Sequence, residues 1–202
     1  MRRTASYRWS AVAVPIVVAG LLARPAAGAA QTLTGNATAV SATVLGTITT
    51  LANTGPLASP SDPLEASLDT GAIPSVLSGE ALHAATLGWT DQVASEAALG
   101  NLGLTIAGTG ISADSVLARA QSVLGGGSSG SSVIDNLAIN GVPVVVTGEP
   151  NQTISIPGGQ VVINEQTVSD SGITVNALHA IVSGLFGPLA DVVIASATAE
   201  IQ

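Results

Sequence analysis

The chain contains two histidines, and both stand in the same tetrapeptide, Ala-Leu-His-Ala, as His83 and His179. An imidazole can ligate a metal or move a proton, so a repeated one raises both possibilities. A tight metal site needs three or four protein ligands, and no third ligand is marked by spacing near either histidine. A general base needs a nucleophile beside it, and none carries a specific signal here. Asp62, Glu65 and Asp69 form the densest acidic cluster, next to a run of prolines. Oxygen ligands of that kind suit calcium, yet the D-x-D-x-D-G loop that would organise them is missing. "GEPNQT" and "INEQ" bring Glu149, Asn151, Gln152, Asn164, Glu165 and Gln166 close to two turns. Such side chains satisfy turn backbone groups, or they form a polar patch for calcium or carbohydrate. Residues 126–130 fit G-x-S-x-G and residues 125–130 fit G-x-G-x-x-G. Both patterns require a helix after the turn, whereas "SSVIDNLAI" follows with a strand pattern. No catalytic residue and no cofactor is therefore assigned, and the chain is read as a non-enzyme.

The elements that must carry these residues read as strands. From Gly35 onward, stretches rich in Val, Ile, Thr, Ser and Ala alternate in polarity and are broken by Gly, Pro, Asn and Asp. Strands are expected near residues 36–51, 80–87, 93–99, 102–107, 111–123, 133–139, 153–156, 161–165, 173–182 and 191–201. Asn140-Gly141 between apolar runs signals a two-residue hairpin. Helix competes only at "DQVASEAALGNL", where Ala and Glu favour it. Alternation puts His83 on a face with Ala81 and Ala85, and His179 on a face with Ala177 and Ile181, with Leu opposite in each copy. Val193, Ala195, Ala197, Ala199 and Ile201 share a face of the last strand on the same reasoning. The fold expected is an all-β antiparallel sandwich with an Ala/Val/Ile-rich core. A β-solenoid is the alternative, weakened because no short repeat runs through the chain. The repeated tetrapeptide then reads as two equivalent strands.

Arg2, Arg3 and Arg8 precede an apolar run at residues 11–22 and the small-residue stretch "AAGAAQT". That is the pattern of a secretory signal peptide over residues 1–29, leaving 30–202 as one extracellular all-β domain with loops at 54–63 and 124–132. The apolar run is shorter than the roughly 20 residues that span a bilayer, so no membrane span is expected after cleavage. Thirteen acids would then face one cation, Arg119, for a net charge of −12. Nucleic acid and anionic membranes, which require clustered cations, are excluded as partners. Without cysteine, no disulfide or thiolate site is available. Trp89 and Phe186 are the aromatics left. Sugar-cleaving clefts present aromatic surfaces, and Trp89 alone could serve, which argues against a glycosidase.

"GSSGSSVIDNLAINGVPVVVTGEPNQTISIPGGQVVINEQ", then "GITVNALHAIV", then "ADVVIASATAEI", resembles the secreted bacterial choice-of-anchor P family, and "TGISADSVLARAQS" is similar to its middle strands. The resemblance implies an extracellular, mostly β protein of actinobacterial type with no established activity. Ending at Gln202 without a sorting motif, the chain looks like a released or loosely envelope-held member. The function expected is structural or adhesive, acting through sheet surfaces or edges on itself or on other envelope proteins, with residues 173–182 and 191–201 as the long strands available for edge pairing. A small calcium- or carbohydrate-binding module is the alternative.

Overall fold

The computed structural model describes residues 32–57, 59–184 and 187–202. The expected signal peptide at 1–29, and Phe186, lie outside the described residues.

Thirteen strands follow one another, and no helix occurs among the described residues. They are β1 (Leu33–Val44), β2 (Thr47–Asn53), β3 (Leu64–Ile73), β4 (Leu77–Gly88), β5 (Gln92–Ile106), β6 (Thr109–Val123) and β7 (Gly127–Asp135). The short β8 (Ala138–Ile139) and β9 (Val142–Pro143) come next, then β10 (Gln152–Ile156), β11 (Gly159–Val168), β12 (Gly172–Gly184) and β13 (Gly187–Ile201). One sheet runs β10-β11-β12-β13-β1-β2; the other runs β3-β4-β5-β6-β8-β9, with β7 also paired to β6. All pairings are antiparallel. The chain is a β-sandwich, and its hairpin connections rule out a solenoid.

Turn chemistry sets the hairpins. Leu45-Gly46, Ala107-Gly108 and Asn140-Gly141 each place two residues at positive φ between paired strands, the I′ combination that matches strand twist. Between the sheets every buried apolar side chain is Ala, Val, Leu or Ile. Gly130 faces this core so closely that a Cβ would lie 2.3 Å from Val175 Cγ2. Small residues on the facing surfaces let the two layers approach.

Simple alternation fails in the middle of each long strand. In β12 the buried positions step from Ile173, Val175 and Ala177 to Leu178, Ala180 and Val182, and in β13 they step from Ala190, Val192 and Ile194 to Ala195, Ala197 and Ala199. No residue is inserted there, since the pairing register of the first sheet runs unbroken through the phase change; a residue in the left-handed region turns the pleat over in β11, β13 and β2, and β12 changes phase with the neighbours it is paired to. Asn164, Ala195 and Ala52 have positive φ and fall on one line across the first sheet; Ala81, Asn101 and Asn136 do so across the second.

Several expectations change as a result. Residues 92–106 form one strand with the left-handed Asn101 at its change of phase, rather than two strands, and the helix rival is absent. The loop at 54–63 stands between β2 and β3, whereas the second loop is only the turn at 124–126: residues 127–132 belong to β7. Gly and Ser obscured that strand, which is tolerated because its small side chains fit against β12. Strand β3 was hidden by its acids, and Glu65 and Asp69 lie on it rather than in the proline-rich loop. Val193 sits on the outer face, opposite the buried Ala195, because the left-handed Ala195 turns the pleat over. Residues 173–182 and 191–201 are interior strands, each paired on both sides, so their backbones present no edge. The open edges belong to β2, β10, β3 and the β7–β9 side.

Candidate functional site

The Ala-Leu-His-Ala repeat acquires a structural meaning at the two lines where the strands change phase. Ala81 and Ala177 occupy the lines themselves, Leu82 and Leu178 enter the core, and His83 and His179 emerge on the outside. Ala177 is buried and does not share the face of His179, because β12 changes phase there in step with β11 and β13. The two histidines lie on outer faces of opposite sheets, separated by a sandwich whose layers pack roughly 10 Å apart. They cannot share a metal.

His179 is the centre of the most extensive polar network. Its Nδ1 is 2.8 Å from Glu165 Oε2 on β11, and its Nε2 is 3.0 Å from Asp191 Oδ1 on β13. Asn176 Nδ2 donates to the same Glu165 oxygen at 2.7 Å, and Ser196 Oγ donates to Asn176 Oδ1 at 2.7 Å. Each ring nitrogen thus has a carboxylate oxygen within hydrogen-bond distance, and the tautomer sets which of them donates. With both ring nitrogens engaged, neither is free to take a proton from a nucleophile. Ser196 is turned to Asn176, not to the ring. The acids stand on opposite sides of the imidazole, and no group of three or more metal-binding side chains converges among the described residues. The arrangement braces three strands. Spacing gave no hint of Asp191, Asn176 or Ser196, because the register that joins them crosses two hairpins.

The other sequence candidates are dispersed. His83 Nδ1 lies 3.7 Å from Glu65 Oε1 at an exposed position on the opposite sheet. Glu65 and Asp69 are four residues apart on one strand, roughly 13 Å at the strand rise, while ligands of one calcium ion must each reach within about 2.6 Å of it. Asp62 remains in the loop before β3. This cluster does not assemble into a calcium site.

The amide-rich candidates do come together, against backbone. Gln152 Oε1 accepts from Thr147 N at 2.9 Å, and its Nε2 donates to Val145 O at 2.8 Å. Asn164 Nδ2 donates to Gly148 O at 3.0 Å, and Asn151 Oδ1 accepts from Gln166 N at 2.9 Å. Gln166 Nε2 donates to Gly130 O at 3.2 Å, tying β11 to β7 in the other sheet. Glu149 donates its backbone N–H to Thr147 Oγ1 at 3.3 Å. These residues hold the 144–151 loop and close one side of the sandwich. In the G-x-S-x-G stretch, Ser128 Oγ lies 3.0 Å from Ser122 Oγ, within a strand and away from any strained elbow.

No family model, curated protein or solved structure matches this chain.

Proposed function

We propose that this is a non-enzymatic structural or adhesive protein, secreted or held at the cell envelope, that works through its sheet surfaces. The observation that carries the reading is the outer face of the β10–β2 sheet. Short polar side chains there are fixed to one another across neighbouring strands: beside the His179 network stands the Thr174–Thr198 hydroxyl pair at 3.0 Å, and Asn53 Nδ2 donates to Thr38 Oγ1 at 2.7 Å. A face already ordered loses little side-chain entropy when another surface covers it. The residues that resemble the choice-of-anchor P family support an extracellular setting for the same role. Interior placement of the long terminal strands favours face contact over edge pairing through them.

Light scattering after size exclusion across a concentration series, with calcium and then with chelator, tests this. Mass that grows with concentration in both conditions is expected, and Ile48→Arg with Thr50→Arg, at exposed positions of β2 on the same face and outside the hydrogen-bonded network, should reduce it without lowering Tm. A strict monomer whose stability changes only with calcium would overturn the reading in favour of a calcium-binding module.

A further inference from the structure

The outer face of the other sheet carries a groove that the polar network does not use. Its volume is about 410 Å³, within the range of small-molecule pockets. Two transverse rows of side chains build its floor. Register aligns Ala85, Glu96, Arg119 and Ser131 on β4 to β7 in the first row. Leu87, Ala94, Gln121 and Ser129 align two residues further along in the second. At normal strand spacings the array measures roughly 14 Å by 7 Å. Leu87 also walls an adjoining hollow lined by Pro63 and Trp89.

The lining is amphipathic in a particular way. Ala85, Ala94 and Leu87 supply flat apolar contact, and Leu87 and Trp89 are 41% and 44% exposed. Trp89 is the only aromatic side chain among the described residues, and Arg119 is the only lysine or arginine. Arg119 bonds Glu96 through Nε, which leaves both terminal NH₂ groups of a five-donor fork for a ligand. Because Glu96 balances the guanidinium, the groove has no net demand for an ion, and the acidic molecule disfavours anions. The four strands below are already paired with one another, so a peptide cannot add as a strand within the groove; only the outer edge of β7, at its rim, is unpaired.

We propose that this groove binds a short neutral saccharide, whose C–H faces rest on Leu87, the alanines and Trp89 and whose hydroxyls bond to Arg119, Glu96, Gln121 and Ser129. The assignment stands apart from self-association through the opposite face, since the two are read by different measurements.

The test uses the full chain with Trp9→Phe, so that Trp89 is the sole tryptophan. Tryptophan emission and calorimetry are followed while glucose, maltose, cellobiose and N,N′-diacetylchitobiose are added to millimolar concentration. A saturable emission change with at least one sugar is expected, with affinity at least tenfold weaker in Arg119→Ala and the calorimetric signal lost in Trp89→Ala, while thermal unfolding stays unchanged. Gln121→Ala, at a half-buried position, provides a second variant should Arg119→Ala fail to fold, and it should also weaken binding. Silence across the sugars overturns the proposal. So does sugar binding that survives all three substitutions, or a saturable response to octanoate alone.

Discussion

His83 and His179 occupy the same tetrapeptide but inhabit different surroundings. The side chain of His179 is 14% exposed and touches two carboxylates at hydrogen-bond distance, whereas that of His83 is 39% exposed and 3.7 Å from one. Exposed pairs contribute little after screening and side-chain entropy, while a partly enclosed charge-assisted network retains more. His179→Ala should therefore cost about 1–2 kcal/mol, discounted for the half-exposed Asp191, and His83→Ala less than about 0.5 kcal/mol. Urea denaturation of the two variants decides this. Equal losses would mean that the network does not brace the sheet. Sequence showed the repeat and set each histidine on the face opposite its leucine. It could not show Asp191 or Asn176 beside His179, because those partners arrive through register.

Among the elements, the strands were largely legible from β-branched composition and turn residues. Their interruptions were not. The phase change moves inward-facing residues between odd and even positions, and its mark was faint: Asn holds the left-handed conformation at Asn101, Asn136 and Asn164, but Ala rather than Gly holds it at Ala52, Ala81 and Ala195. Strand β7 was missed for the opposite reason: Gly and Ser signal a loop unless a facing surface such as Val175 makes small residues necessary. The hairpin turns reveal where local preference and tertiary need disagree. Ala107 adopts φ 47° beside Gly108, a conformation that costs a non-glycine residue roughly 1–2 kcal/mol and that Asn tolerates better. Ala107 is exposed, so packing does not constrain the exchange. Ala107→Asn should stabilise the fold by about 0.5–1 kcal/mol, visible as a Tm rise of roughly 1–4 °C. A fall in Tm would show that the turn is not limited by its backbone.

At the scale of the molecule, the two ends of the described chain close the first sheet. β1 pairs with β13 from Leu33↔Ile201 to Val44↔Ala190, and Thr32 and Gln202 exchange backbone hydrogen bonds at 3.0 Å. Strand order is thus continuous through the point where the covalent chain is not, and the hydrogen-bonded ladder, rather than chain connectivity, positions β1. Joining residue 202 to residue 32 by a short Gly/Ser linker should add a hairpin where an open pair now stands. Reopening the chain within the exposed turn at 124–126 should remove only a connection, since β6 and β7 remain paired from Ser115↔Asp135 to Val123↔Gly127. The permuted protein is expected to unfold in one cooperative step, with Tm within a few degrees of the parent. Reopening instead inside β5, between Leu99 and Gly100, should abolish that transition, because this strand is paired on both flanks and its side chains fill the core. Calorimetry of the two permutants separates a fold specified by the closed set of pairings from one that depends on β1 being made first. Loss of cooperativity in both would favour the second.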